Sequence, residues 1–288
     1  MMTPFELIDL SMTSSRTKRS VIIFSRLKPR FRVSLRFWFE PDIIIGGHRK
    51  EWRYSWTSDR YKDRPTTRYI FSKNQFKDCM NWFESMKEVI GGRICSMAVL
   101  RMDMLITDWL RLQQNSIENV KIGIGRPEHV KYFLETIRVT GIFDLMIAMS
   151  EKDSLFEFPE GSYTLLMEYI CFEQLLRINS PKIILRHSYF KNREINGFLK
   201  NWMACESHLE LFGINLSGPE AVNEIMDLPY EVTTDPDVLK KFKDYSFYPN
   251  VTRAFKIKRY DGKIAIVCVG YQKIFDLPWV YSLCMVIH

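Results

Sequence analysis

The 288 residues carry 41 Lys/Arg against 34 Asp/Glu, a formal net charge of +7, and 46% of them are hydrophobic. That suits one large domain or two small ones, with apolar mass enough for a sizeable core. No stretch has the roughly 18 uncharged apolar residues that cross a bilayer, and no signal-peptide core opens the chain. The expectation is an intracellular protein, cytoplasmic or nuclear, without a membrane partner.

Residues 4–20 predict a short helix around residues 5–10, a polar break and a basic second helix. The charge is concentrated here: residues 1–73 hold 16 Lys/Arg and 7 Asp/Glu, residues 74–288 hold 25 and 27. Between Asp9 and Glu40 there is no acid, but Arg16, Lys18, Arg19, Arg26, Lys28, Arg30, Arg32 and Arg36 are present. Such a stretch fits a solvated face near an acidic partner. It also fits a nucleic-acid surface over 16–36 with Phe24, Phe31, Phe37 and Trp38 interleaved, the less favoured of the two.

From Phe31 the pattern becomes that of strands. Phe31, Val33, Leu35 and Phe37 alternate with Arg32, Ser34, Arg36 and Trp38. Pro41-Asp42 and Gly46-Gly47 turn the chain into residues 43–45 and 52–56, and residues 69–71 follow a polar break. Turns this close together predict a small antiparallel meander. Residues 74–90 place Phe76, Cys79, Met80, Phe83 and Ile90 on one helical face, with Gly91-Gly92 as the stop. Asp103 and Asp108 flank a helix as cap and surface charge. Pro127 suits the first turn of another helix, carrying Val130, Phe133, Leu134 and Ile137, with Gly141 ending it.

An apolar-x-x-apolar-x-apolar pattern marks successive strands: Ile94/Met97/Val99, Ile117/Val120/Ile122, Ile142/Leu145/Ile147 and Leu209/Phe212/Ile214, with an imperfect copy at Ser180/Ile183/Leu185. A gap before the imperfect copy reads as an insertion at 150–170. Within 178–218 the run Ile183-Ile184-Leu185 predicts a buried strand. Asn192 caps a helix whose stripe is Ile195, Phe198, Leu199, Trp202 and Met203, and a second strand covers 209–216. The fold class expected is α/β: irregular leucine-rich-repeat-like strand–helix layers with a parallel sheet, an N-terminal antiparallel meander and a C-terminal β-hairpin. An ordinary α/β sheet with uneven crossovers remains the alternative. Pro219 opens a short helix through Met226, Asp261-Gly262 predicts the late hairpin, and the apolar tail 274–288 requires cover.

Several pieces in one order carry a resemblance. They are Phe172-Glu-Gln-Leu-Leu176, Glu194-Ile-Asn-Gly-Phe-Leu-Lys-Asn-Trp202, Ser207-His-Leu-Glu-Leu211, Asp227-Leu-Pro-Tyr-Glu231 and Ile257-Lys-Arg-Tyr-Asp-Gly-Lys263. Together with the strand 182–185 they resemble the nematode F-box-associated domain of the second type, most strongly over 165–275. Residues 4–20 look like the second half of an F-box, without its Leu-Pro pair and first helix. The resemblance implies a partial F-box at 1–25 and a target-binding domain at 30–288. It also implies the role of a substrate receptor in an SCF-type ubiquitin ligase. On that basis Pro4, Phe5, Leu7, Ile8 and Leu10 are the candidate contacts for a Skp-family adaptor, with docking weakened by the missing half. The alternative for Leu7, Ile8 and Leu10 is that they pack on the meander.

A parallel sheet covered on one side leaves a face for a protein target. The repeat register puts Asn119, Lys121, Asp144, Met146, Lys182, Ile184, Arg186 and Asn215 on it, unless the meander or the tail covers them. Chemistry-bearing motifs are wanting. His48, His129, His187, His208 and His288 are isolated, and Gly123-Ile-Gly125 lacks the third glycine of a dinucleotide loop. Neither a phosphate-binding loop nor a nucleophile elbow occurs. Six cysteines without Cys-x-x-Cys spacing suit buried thiols in a reducing compartment. No catalytic residue, metal or cofactor is expected.

Overall fold

A computed structural model of the chain describes residues 2–287, apart from 28–30, 48–49, 63, 65, 147–157, 159–160, 162, 169, 187–189, 206, 241–249 and 274–278. It is mixed α/β and divides into two compact units, Met1–Gly141 and Ile142–His288.

The first unit opens on α1 (Pro4–Thr13). The Thr3 hydroxyl accepts the Glu6 amide at 3.2 Å, and the Glu6 carboxylate accepts the Thr3 amide at 2.6 Å, a reciprocal cap on two otherwise orphaned donors. The basic helix α2 (Ser15–Leu27) is fastened to α3 (Gln75–Ile90) by the Ser25 hydroxyl, which donates to the Val89 carbonyl at 2.5 Å. α3 stops where Gly91 turns left-handed, φ 60°, and the Gly92 amide reaches back to the Lys87 carbonyl. Cys79, Phe83 and Ile90 are buried as the periodicity implies, whereas Phe76 is exposed and Val89 takes an inner place.

The strands β1 (Arg32–Phe37), β2 (Asp42–Gly46) and β3 (Glu51–Thr57) form the antiparallel meander. Val33, Leu35 and Phe37 face the core, and Arg32 and Arg36 are exposed. The fourth strand corrects the expectation: β4 (Thr67–Phe71) lies parallel to β3. The polar residues after Thr57 carry the chain back along the sheet instead of making a tight hairpin, and β4 restarts beside Arg53. β5 (Ile94–Arg101) is parallel to β1, and β6 (Ser116–Ile124) to β5. Between them runs α4 (Met104–Gln113), capped by the Asp103 carboxylate on the Ile106 amide at 2.9 Å. α5 (Pro127–Thr136) begins at Pro127 but ends well before Gly141. Ile137 is already extended, φ −120°, and leads directly into β7 (Arg138–Leu145). Gly141 lies within that strand, where a Cβ would stand 2.7 Å from the Glu118 carbonyl oxygen.

In the second unit the strand order is β7-β8-β9-β10-β14-β13-β12-β11. β8 (Thr164–Met167), β9 (Lys182–Leu185) and β10 (Leu211–Asn215) are parallel to one another and to the end of β7. Two corrections to the repeat follow. The supposed insertion at 150–170 contains β8, and the third copy is out of register: Ile142 is exposed, whereas Phe143 and Leu145 are buried beside Leu165 and Met167. Ile147 lies outside the described residues. α6 (Phe172–Leu175) follows β8, and α7 (Asn192–Ala204) joins β9 to β10. The cap of α7 falls one residue earlier than expected, at Lys191, whose amide donates to Glu194 at 2.7 Å. Ile195, Phe198, Leu199 and Trp202 are buried along the expected stripe. α8 (Ala221–Ile225) and α9 (Pro236–Lys240) are short.

The hairpin of β12 (Asn250–Lys258) and β13 (Ile264–Lys273) turns at Asp261-Gly262, with Gly262 at φ 92°. β14 (Trp279–Ile287) pairs antiparallel with both β13 and β10, which gives the apolar tail its place inside the sheet. The two-residue β11 (Glu231–Val232) lies against β12 at the sheet's edge. No helix among the described residues is long and apolar enough to cross a membrane.

Candidate functional site

The face expected to hold a target is largely closed in the second unit. Ile184 is 4% exposed and packs in an apolar cluster with Leu166, Leu211, Ala254, Ile266 and Cys284. Asp144 and Arg186 are buried as well. Arg186 reaches across β8 to place Nη1 3.2 and 3.4 Å from the two Asp144 carboxylate oxygens. Asn215 donates to the Arg186 carbonyl, which ties the carboxyl ends of β9 and β10 to this clasp. Two charges sealed this way act as a structural lock between β7 and β9 across the strand that separates them, since either one alone would be a costly buried charge. Met146, Lys182 and Asn215 remain half-buried, and Lys182 lies 3.7 Å from Glu210. In the first unit Asn119 and Lys121 are half-buried on β6. The small and aliphatic residues of β12–β14 made the difference, because they extend the apolar surface beside Ile184.

The adaptor candidates divide in the same way. Pro4, Leu7 and Ile8 are buried within the first unit, the latter two at 2% exposure each. Phe5 is half-buried, edge-on to Tyr54 at 4.9 Å and under the Arg68 guanidinium at 4.3 Å. Arg68 also grips Asp9 through two bonds of 2.6 and 2.7 Å, which hold the Asp9 carboxyl below its usual range. Only Leu10, 38% exposed, offers an apolar contact from the set of five that is substantially open. On α2, Arg16, Arg19 and Arg26 are exposed, with Ile23 and Phe24 between them. The aromatic set of the nucleic-acid reading is not assembled, because Phe37 is buried in the core.

Most of the ionisable groups singled out for chemistry are engaged structurally. Asp103 caps α4, and Asp108 accepts the Tyr132 hydroxyl at 2.6 Å. His129 Nδ1 lies 3.2 Å from the Met102 carbonyl oxygen, and His208 is exposed. His48, His187 and His288 lie outside the described residues. Cys79, Cys268 and Cys284 are buried, and desolvation raises the Cys268 thiol to about 12, so it stays a thiol at neutral pH. Cys95 and Cys171 are half-buried and Cys205 is exposed.

An open concave surface of the second unit lies elsewhere, where α8 runs into β11. Two cavities of about 630 and 440 Å³ share Tyr230, Arg253 and Phe255 as a common wall. The first is completed by Val222, Met226, Leu228 and Lys200, the second by Val232, Leu239 and Val251. Tyr230 stands edge-on to Phe255 at 5.1 Å. The wall is held by Asn196 of α7, whose amide donates to the Ile225 and Asp227 carbonyls at 2.8 and 3.0 Å. Below Tyr230, the Thr233 amide donates to Ala254 at 3.0 Å, extending the β11–β12 pairing. Replacing Asn196 by alanine leaves the buried Ile225 carbonyl and the partly buried Asp227 carbonyl without this donor, and a loss of about 1–3 kcal/mol in urea unfolding is expected. An unchanged unfolding midpoint would contradict its bridging part. Sequence reasoning missed this surface, although Asp227-Leu-Pro-Tyr-Glu231 was among the conspicuous pieces. A proline followed by an exposed aromatic beside a two-residue strand was the available signal.

No curated protein and no solved structure matches the chain. Residues 162–214, the stretch that carries β8, α6, β9, α7 and most of β10, match the model of the F-box associated family.

Proposed function

We propose that the chain is the target-recognition subunit of an SCF-type ubiquitin ligase. It would bind a protein target through its F-box-associated domain and work without catalytic chemistry of its own. The family match over β8 to β10 carries this reading. The strand–helix layers would serve as an irregular leucine-rich-repeat-like scaffold, and the mechanism would be to raise the target's concentration near the ligase's ubiquitin-carrying arm. The remaining exposed surface of α1 and α2, with Leu10 at its centre, would meet a Skp-family adaptor.

Co-purification of the full chain with such an adaptor tests the reading. Leu10→Asp is expected to lower recovery of the adaptor at least about fivefold while leaving stability within about 0.5 kcal/mol, as for an exposed substitution. Retention of the adaptor at wild-type levels would contradict the assigned contact. A second reading, a stand-alone protein-binding module, draws on a specific observation: Pro4, Leu7 and Ile8 are spent on the protein's own core. Target capture in the absence of any adaptor would favour it.

A further inference from the structure

We infer that Cys268 and Cys284 form a redox-sensitive latch: a low-molecular-weight disulfide joins them across β13 and β14 while those strands are apart, and the closed sheet then keeps them joined. The inference is independent of the receptor reading and concerns how the second unit is held shut.

Register brings the two thiols together. Cys268 of β13 stands directly opposite Cys284 of β14, and opposed residues of neighbouring strands send their side chains to the same face. The Leu216 amide donates to the Tyr281 carbonyl and the Ile287 amide to the Glu210 carbonyl, so the odd-numbered residues of β14 bond toward β10. Cys284 therefore bonds toward β13, and the two cysteines make a hydrogen-bonded antiparallel pair, whose α-carbons stand about 5.5 Å apart. Disulfide-linked cysteines have much the same separation. Small residues flank the pair. Ala254 of β12 is opposite Cys268 on its other side, and Gly213 of β10 is opposite Cys284. The adjacent row on the same face holds Ile266, Val286 and Leu211 instead. The other four cysteines have no such counterpart among the described residues: Cys79, Cys171 and Cys205 lie in or at the ends of helices, and Cys95 sits at an irregularity between β5 and β1.

Burial decides when the bond can form. Cys268 is 0% and Cys284 1% exposed, in the cluster that holds Leu166 and Ile184. Desolvation raises the Cys268 thiol to about 12; it raises Cys284 as well, and the neighbouring Cys268 pushes that thiol up further. Exchange needs a thiolate that a small disulfide can reach, and the closed sheet offers neither condition. Once β14 parts from β13, both thiols return to their ordinary range near about 8.5. The Cys284 thiolate then attacks the small disulfide, and half of that molecule leaves as a thiol. The Cys268 thiolate attacks the Cys284 sulfur of the mixed disulfide and expels the second half. Two protein thiols are oxidised to one disulfide, the small disulfide is reduced to two thiols, and the two protons pass to those. Cross-strand closure at a hydrogen-bonded pair must draw the two β-carbons inward, which leaves the bond reducible whenever the strands part again.

The test compares two samples of the full chain in the same mixture of reduced and oxidised glutathione. One is held folded, and the other is refolded from urea. Free thiols are then alkylated, and the peptides are mapped by mass spectrometry without reduction. A peptide pair joined through Cys268 and Cys284 is expected in the refolded sample and at least about tenfold less of it in the folded one. The oxidised protein should unfold at a urea midpoint roughly 1 M higher, because the bond closes a loop of about 15 residues in the unfolded chain. Reduction should cancel that shift, and Cys284→Ala and Cys268→Ala should each lack both the linked peptide and the shift. A refolded sample with both thiols free, or joined chiefly to other cysteines, would overturn the latch. So would a linked protein with an unchanged midpoint, or linkage that forms as readily in the folded sample as in the refolded one.

Discussion

Arg259→Ala is expected to lower the stability of the second unit by about 3 kcal/mol, the low end of what is lost when one partner of a buried charged network is removed. Arg259 is 3% exposed. Its Nε and Nη2 donate to the Asp261 carboxylate at 3.0 and 2.6 Å, and Nη1 donates to the Ser207 carbonyl at 2.9 Å. The guanidinium also lies over the Trp202 ring at 5.6 Å. One side chain thus joins the β12–β13 turn to the end of α7 and to the segment that leads into β10. The low end applies because Asp261 can regain water once its partner is gone. Differential scanning calorimetry should record a fall of roughly 6–12 °C for a unit of this size.

The same pair sets an acid limb. Hydrogen bonding from Arg259, helped by the Lys263 amide, holds the Asp261 carboxyl down at about 2. A carboxyl with a depressed folded-state pKa contributes stability above its unfolded value near 4, and that contribution disappears as pH falls from about 4 to about 2. Urea midpoints measured between pH 5 and pH 2 should therefore decline less steeply in Asp261→Asn than in wild type. Parallel slopes for the two proteins would remove the pair from the acid response.

Leu7→Ala is expected to cost about 3 kcal/mol, within the range for buried leucine truncations, and Leu7→Asp to prevent the first unit from folding stably. The reason is burial. Leu7 and Ile8 lie on the inner side of α1, next to the half-buried Phe5 that meets Tyr54 edge-on, and the Leu7 amide closes the first helical bond to Thr3. Circular dichroism melts of Leu7→Ala and Leu10→Asp should separate widely. Equal melts would mean that Leu7 is not a core residue. The comparison also guards the adaptor experiment, because loss of binding in a Leu7 variant would report unfolding and not a missing contact.

Element boundaries were legible wherever the local signal was strong. Proline at the head of α5, the alternation of β1, the stripe of α7 and the Asp261-Gly262 turn all act within a few residues, so the chain announces them directly. The repeat was legible only in part. Met97, Val120 and Phe143 are evenly spaced, but Thr140 stands where an apolar residue was sought, and this drew the register to Ile142 and hid β8. The direction of β4 was not legible, because period-2 patterning is identical in parallel and antiparallel strands. The target face failed for a non-local reason. Whether Ile184 meets solvent depends on Ala254, Ile266 and Cys284, which are far off in sequence and whose small or aliphatic nature says nothing by itself about where they lie. The first of the two cavities at Tyr230 draws on three distant contributions, Lys200, Tyr230 and Arg253, and no spacing rule joins them.

β14 is the last described strand in sequence, yet it lies between β10 and β13. As the chain leaves the ribosome, both neighbours must wait with raw backbone donors and acceptors until this later segment arrives. During that interval they are open to any other strand within reach. Completion of the sheet is thus postponed until β14 has been made, and a nascent chain of this protein has good reason to be met by a chaperone.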